Sequence, residues 1–270
     1  MKLKKRKDTP MSNAQDLFLS LLPKATVISR EVSGKFFKKP LAEIGMVSKA
    51  DESPVTAADI EIESRLRDLI LSQFPDHGII GEEQGNHRTD AEFVWVLDPI
   101  DGTKSFITGV PLFTTLIALM HKGEPVCGAI YQPVLDELVW GNNKECFFNN
   151  RPVRMRTARK LSECTLLVTD ARHVAEYHPQ ANFNALCADV KFWRTWADGY
   201  GYALLASGYA DIMIDPVMNP WDIMAVVPVL RGAGGTITDF SGADAVKGKS
   251  IVAASPDLHA QVLQRLRNAR

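Results

Sequence analysis

The sequence is short of most features that would announce a partner or a compartment. Net charge is nearly absent: 31 Lys and Arg stand against 32 Asp and Glu, leaving −1. So even a balance gives no global field to draw the chain to nucleic acid or to an anionic membrane. The four cysteines, Cys127, Cys146, Cys164 and Cys187, lie far apart and include no C-x-x-C pair. That removes the usual zinc and redox-dithiol patterns and fits a reduced, cytoplasmic setting. The six histidines form no H-E-x-x-H or comparable zinc pair. No apolar run approaches the roughly 20 residues of a membrane span. The basic start, MKLKKRKDTP, lacks the apolar core of a signal peptide and reads as a solvated, frayed tail. Internal repeats and low-complexity linkers are missing too.

What is present is a large apolar fraction, 46% of 270 residues, enough for one large domain or two fused layers around a substantial core. Residues from about Ser12 to Phe37 have helical spacing, as one long helix or two short ones. SPVTAADIEIESRLRDLILSQF is a clearer helix, with Thr56 and Asp59 at capping-box spacing. Ile60, Ile62, Leu66, Leu69 and Ile70 make its expected apolar face. GIIGEE and FVWVLD read as short strands that end in acids. From Leu112 to Val153, turn signals at Lys122-Gly123, Gln132-Pro133 and Asn142-Asn143 predict an antiparallel meander. Beyond Thr157 the pattern alternates. TLLVTD, VKFWRT, ADIMID, GGTITDF and SIVAAS read as strands, and YGYALLASG, PWDIMAVVPVLRGAG and the segment from Pro256 as helices. The expectation is two α/β lobes, 1–155 and 156–270, packed as one body.

Several familiar motifs fail on spacing. GADAVKGKS has one residue too many between Gly242 and Gly248 for a phosphate-binding P-loop, and a strand follows where a helix is needed. GAGGTI carries Ile237 where a dinucleotide fingerprint needs its third glycine. DPIDGT separates its aspartates by three, against two in the nucleophile loop of haloacid-dehalogenase phosphatases. An EF-hand reading puts Gly109 where the closing Glu belongs.

The strongest chemical signal is a carboxylate pair in WVLDPIDGTKSF. Asp98 ends an apolar run, and the proline after it is expected to stop the ladder and turn the chain out of the sheet. Asp101 then returns toward the same space, with the Ile100 carbonyl beside it. Two carboxylates so close repel unless a cation lies between them. All-oxygen ligands without His or Cys suit a hard cation, Mg²⁺ foremost. A helix beginning near Thr103 would add an anion site at its free N–H groups, and Gly102 lets backbone approach a ligand closely. The same residues also make an ordinary tight turn with a capped helix. Taken singly, Asp59 reads as a helix cap, Glu82 and Glu83 as surface acids, and Asp222 as a first-turn acid favoured by the helix dipole.

Four segments occur in order: DESPVTAAD, GEE, LDPIDGT and PWDIMA. As a set they resemble the inositol monophosphatase superfamily of Mg²⁺-dependent, lithium-sensitive phosphomonoesterases, from about Lys49 to Gly242. The resemblance implies an α/β fold, a layered αβαβα sandwich of the inositol monophosphatase and fructose-bisphosphatase type, and a homodimer. It implies two or three Mg²⁺ per site. Glu82, Asp98 and the Ile100 carbonyl would hold one, with Asp98 bridging to a second held by Asp101 and Asp222. Asp59 would hydrogen-bond Thr103, whose hydroxyl with Glu82 positions the attacking water. The amides of Gly102 and Thr103 would grip the phosphate, and Lys49 is a further substrate-side residue. Two metals about 3.5–4 Å apart would clamp an in-line displacement by water, without a phosphoenzyme.

FWRTWADGYGYALLASGYADIMIDP resembles the histidinol-phosphatase-like branch, where an Arg, a Trp and an Asp precede Tyr-Gly-Tyr. Ala197 and Gly199 depart from it, standing where relatives often carry Gly and Cys. Asp198 and Asp215 would face the leaving group, and Arg194 joins them as a substrate residue. Arg194 and Trp196 read equally as a surface cation and a packed aromatic. Histidinol is a cation at neutral pH, so acids near the pocket favour its phosphate ester, which places the chain in histidine biosynthesis. The alternatives are an inositol-1-monophosphatase or broad sugar and polyol phosphatase, a 3'(2'),5'-bisphosphate nucleotidase, and a metal-binding regulator without catalysis.

Overall fold

The computed structural model describes residues 10–49, 53–157 and 160–267; the basic tail 1–9 and the first two acids of DESPVTAAD lie outside them. The first helix, α1 (Pro10–Phe36), is continuous in spite of Pro23. A proline removes one hydrogen bond from the ladder. Here Phe18, Leu21, Leu22, Ala25, Ile28 and Val32 all lie buried on one face, and that burial carries the helix through. A short α2 (Leu41–Ile44) and a hairpin of β1 (Val47–Ser48) and β2 (Pro54–Val55) lead to α3 (Ala57–Gln73).

The capping box expected at the start of α3 is present: Ala58 N–H donates to the Thr56 hydroxyl, and Thr56 N–H donates to Asp59. The apolar face is shifted from the sequence reading. Ile62, Leu66 and Ile70 are wholly buried, but Ile60 is 44% exposed. The i, i+4 rhythm of the three buried residues fixes the face, and Ile60 falls on the opposite side. Each fully buried Ile or Leu there stabilises by about 1.5–3 kcal/mol.

The next elements are β3 (Gly78–Gly81), β4 (Gly85–His87), β5 (Phe93–Asp101), α4 (Thr103–Ile107), β6 (Thr114–His121), β7 (Glu124–Gln132), β8 (Glu137–Gly141), β9 (Cys146–Phe148) and β10 (Arg151–Pro152). Their strands form an eight-stranded sheet in the order β10-β9-β8-β7-β6-β5-β3-β4. From β5 to β10 successive strands pair antiparallel, as the turn signals predict, and β3 runs parallel to β5.

The second sheet follows β11 (Thr165–Val168), α5 (Ala171–Tyr177), α6 (Phe183–Asp189), β12 (Phe192–Arg194), α7 (Asp198–Ala206), β13 (Ile212–Asp215), α8 (Pro220–Gly232), β14 (Thr236–Thr238), β15 (Ile251–Ala254) and α9 (Pro256–Arg267). Its strand order is β12-β11-β13-β15-β14, parallel among β12, β11 and β13 and antiparallel at β15. Helices α5 and α6 are absent from the sequence reading, although Asp170 caps α5 by accepting the Arg172 N–H.

Three apolar clusters set the layers. One joins α1 and α3 to one face of the first sheet. A second fills the space between the sheets around α7 and α8, and a third joins α5, α6 and α9 to the outer face of the second sheet. The result is the αβαβα sandwich expected from sequence. The central helices α7 and α8 begin beside the end of β5, which brings acids from both sheets together.

Candidate active site

Strand β5 does not stop at Pro99. It runs to Asp101 and bulges, because Asp98 pairs with Leu116 and Asp101 with Thr114, three steps on β5 against two on β6. Pro99 cannot donate to the ladder, and the extra residue absorbs that loss by bending the strand. The bend is held from behind. The Thr115 hydroxyl donates to the Pro99 carbonyl at 2.7 Å, and Ser29 of α1 meets Thr115 at 2.7 Å, both buried. Gly102 follows at φ 88°, and a Cβ there would fall 3.0 Å from both Asp198 Oδ2 and the Leu112 carbonyl oxygen. Only glycine fits this turn.

The structure brings Asp98, Asp101 and Asp222 together, with carboxylate oxygens all within 4.8 Å of one another. Asp222 stands in the first turn of α8, where its Oδ2 accepts the Asn219 N–H at 2.7 Å. It is therefore both the helix acid and a cluster member. Burial pushes the Asp98 carboxyl well above the usual carboxylate range, and Glu82, Asp101 and Asp222 add to the shift. Burial does the same to Asp101, helped by Asp198 and Asp222 and opposed by the Gly199 N–H that donates to its Oδ2. Asp222 is pushed up to about 7 by burial against the Asn219 hydrogen bond. Asp98 Oδ1 is buried without a hydrogen-bond partner among the described residues. Repelling acids, an orphaned oxygen and an all-carboxylate donor set fit a hard divalent cation.

The other expected ligand, Glu82, lies outside that trio. Its Oε1 receives Lys49 Nζ at 2.9 Å, and the same ammonium reaches Glu83 Oε1 at 2.6 Å. Burial would lower the Lys49 ammonium, but the hydrogen bonds it donates to Glu83 and Glu82, with their charges, outweigh it and hold the group charged. Lys49, expected on the substrate side, is thus the counter-ion of GEE.

The expected bond between Asp59 and Thr103 is not formed. Asp59 Oδ2 accepts the Thr56 N–H and hydroxyl at 2.8 and 2.6 Å, as its cap position dictates. Thr103 instead closes its own turn, its hydroxyl donating to the Ile100 carbonyl at 3.0 Å. Asp59 Oδ1 remains buried and unpartnered, and burial pushes that carboxyl up to about 7.

The second sheet and the helices α7 and α8 supply the other wall. A cavity of about 100 Å³ is lined by Asp101, Asp198, Asp215 and Asp222 together with Thr169 and Tyr202. Asp198 opens α7 at φ 52°, a conformation a non-glycine residue rarely holds, and burial pushes its carboxyl up to about 6 against the pull of Lys104. Asp215 Oδ2 accepts the Thr169 and Tyr202 hydroxyls at 2.9 and 3.2 Å.

Arg194 is not in this cavity. It stands on edge strand β12, donating to the Trp193 carbonyl and lying over the Phe192 and Trp196 rings. Strand alternation and the exposed edge, not the acids, decide where its long side chain goes. Thr169, Tyr202, Lys104 and Glu63 went unnamed in the sequence reading. Of these, Glu63 had a readable signal: a Glu four residues before Arg67 on a helix.

Comparison with known proteins gives the family and the fold. The model of the inositol monophosphatase family matches residues 22–270. The chain is 41% identical over 251 residues to the chloroplastic bifunctional phosphatase IMPL2 of Arabidopsis thaliana, covering 88% of this chain and 71% of that protein. It is 35% identical over 241 residues to a histidinol-phosphatase of Chlorobaculum parvum, covering 88% and 91%. A solved inositol monophosphatase from Zymomonas mobilis superposes with a TM-score of 0.81 at 30% identity, covering 96% of this chain and 99% of that one.

Proposed function

Because this chain belongs to the inositol monophosphatase family and is a phosphomonoesterase, we propose that it hydrolyses histidinol phosphate with the help of Mg²⁺. The observation that carries the substrate is the cavity, where Asp198 and Asp215 stand outside the proposed metal set and, among the described residues, no basic side chain lines the wall. An alcohol bearing an ammonium and an imidazole matches that field. The second reading is a polyol such as inositol, favoured by the Thr169 and Tyr202 hydroxyls in the same wall. A bisphosphate nucleotide suits the cavity least, since nothing basic lines it for a second phosphate.

In this reading Asp98, Asp101, Asp222, Glu82 and the Ile100 carbonyl hold two or three Mg²⁺. The ions would supply Lewis acidity toward the phosphoryl oxygens and lower the pKa of water. The amides of Gly102 and Thr103 hold the phosphate. Thr103 would turn from the Ile100 carbonyl to Asp59 Oδ1, which would leave that carbonyl available as a metal ligand. The Thr103 hydroxyl and the Glu82 carboxylate then orient the attacking water. Lys49 yields Glu82 to the same end and remains with Glu83. Asp198 and Asp215 receive the leaving alcohol, and lobes 1–155 and 156–270 divide the work between metal binding and recognition. Arg194 keeps a substrate role only through an assembled homodimer. Phe192 and Trp196, 36% and 47% exposed and both beneath Arg194, are the aromatic pair that supports such an assembly. Among the described residues no helix is long and apolar enough to cross a membrane, and a cytoplasmic, lithium-sensitive enzyme completes the reading.

The test is phosphate release with Mg²⁺, comparing histidinol phosphate with inositol 1-phosphate. A kcat/KM at least about tenfold higher for histidinol phosphate is expected, the size of roughly 1.4 kcal/mol of recognition. Equal or reversed preference overturns the substrate and keeps the chemistry. Release from neither, with Mg²⁺ still bound, would make the chain a metal-binding regulator.

A further inference from the structure

Glu63 is wholly buried in α3, one turn beyond Asp59, yet it does not face the acid cluster. A carboxylate without solvent needs donors, and three come to it. Glu83 N–H donates to Oε2 at 2.8 Å, Gln84 N–H to Oε1 at 2.9 Å, and Arg67, one turn further along α3, reaches Oε1 at 3.1 Å. The same Arg67 nitrogen donates to the Gly85 carbonyl at 2.9 Å. Three consecutive residues after Glu82 are therefore gripped through backbone atoms by one ion pair.

Two further contacts make the grip specific. A Cβ on Gly81 would lie 2.2 Å from Glu63 Oε1 and 2.8 Å from the Arg67 nitrogen, so glycine is required for the pair to reach the turn. On the other side of the turn, Glu82 N–H donates to the Leu97 carbonyl at 3.2 Å, next to Asp98. Glu82 sits between an anchor on β5 and an anchor on α3, with its own side chain in neither.

We propose that the buried Glu63–Arg67 pair is a positioning device that fixes the 82–85 turn and so presents Glu82 to the metal centre. Glu63 touches neither ion nor substrate; it acts through the amides of Glu83 and Gln84. A group that orients a ligand in this way tunes affinity for the ion by about 10–100-fold, and a bound ion would itself then hold Glu82 in place. The inference rests on the metal role of Glu82 proposed above.

The experiment is a calorimetric Mg²⁺ titration of the full chain and its Glu63→Gln variant, read beside amide exchange at residues 83 and 84. Gln offers one acceptor and turns a donor toward the second amide. Expected are faster exchange at both amides and roughly tenfold weaker Mg²⁺ binding. Phosphate release at saturating Mg²⁺ should return to within about threefold of the parent, with KM unchanged. Loosened amides with unchanged Mg²⁺ affinity would reduce the pair to a structural brace and overturn the proposal. Activity lost beyond rescue by excess Mg²⁺, in a folded variant, would overturn it as well. A parent chain that binds no Mg²⁺ sinks the metal reading and this inference together, whereas binding that the variant leaves unchanged sinks this inference alone. Should Glu63→Gln fail to fold, Glu63→Asp keeps the charge beside Arg67 but shortens the reach. Several-fold weaker Mg²⁺ binding is then expected, and parental binding is the overturning result.

Discussion

Glu63 and Asp98 are equally cut off from water, at 0% and 2% exposure, yet the protein treats them in opposite ways. Every partner of Glu63 is a donor: two backbone amides and a guanidinium. Asp211 belongs with it, taking Arg156 through both oxygens at 2.6 and 2.5 Å and the Thr165 N–H at 2.6 Å. Asp98 faces Glu82, Asp101 and Asp222 and keeps one oxygen without a partner. Burying an unneutralised carboxylate is costly, so an acid the chain leaves unpaired among other acids is built for a cation from outside. An acid the chain neutralises itself holds backbone in place, for the fold in the case of Asp211 and, in the proposal above, for Glu82 in the case of Glu63. Exposure alone does not separate the two kinds; the donors around them do.

Substitution should break the two kinds in opposite directions. Asp222→Asn removes a like charge from the cluster while keeping the shape of the helix start. The metal-free fold should hold its Tm or gain on the order of 1 kcal/mol. Phosphate release should fall by about a thousandfold or more, since several kcal/mol of charge stabilisation goes with the ion. Asp211→Ala should do the reverse. It breaks a buried pair at a cost of about 3 kcal/mol, toward the low end because Arg156 is 44% exposed, and the folded fraction should retain its kcat. Denaturant melts beside steady-state kinetics check both. An active Asp222→Asn would remove that residue from the metal set.

The comparison sharpens with pH. Asp222 and Asp59 are held near 7 and Asp198 near 6 in the folded chain, against roughly 4 when unfolded. Between those values the folded state binds more protons than the unfolded one, so stability falls as pH rises from about 4 to about 7, then levels off. Below about 4 the contribution is fully present. Mg²⁺ replaces the protons, so it should stabilise more at pH 8 than at pH 5, by about 1–3 kcal/mol or roughly 3–10 °C in Tm. Thermal melts in EDTA and in excess Mg²⁺ across pH 5–8 test this. A Tm in EDTA that is flat over that range would contradict the unpaired-acid account.

The contrast also explains what the sequence made visible. Strand and helix patterns marked both sheets and the five major helices, because alternation and capping residues such as Thr56 act locally. The acids of DPIDGT were legible because their crowding makes little sense without a cation, and Asp222 of PWD only through its place in the four-segment set. What stayed hidden depends on third elements. Nothing local reveals that Thr103 prefers the Ile100 carbonyl to Asp59, or that Lys49 folds onto GEE. The edge position of Arg194 stayed hidden because a run of residues carries no information about which strand lies at a sheet edge. Tyr202 and Thr169 converge on Asp215 from different elements, a meeting only the packed sandwich creates.

The smallest expected effect concerns the support behind the bulge. The Thr115 hydroxyl has one proton, and it goes to the Pro99 carbonyl, so Ser29 must be the donor in its bond to Thr115. The relay runs one way, from α1 through β6 into the peptide between Asp98 and Ile100. Thr115→Val leaves the buried Pro99 carbonyl unpaired, at about 1–3 kcal/mol. Ser29→Ala leaves that bond in place and removes only a donor to Thr115, about 1 kcal/mol, with a few-fold drop in kcat/KM. If Ser29 acts solely through Thr115, the double variant should match Thr115→Val alone in both stability and kcat/KM. Simple addition of the two losses would show that Ser29 supports α1 independently, and the bulge would then rest on Thr115 and the sheet.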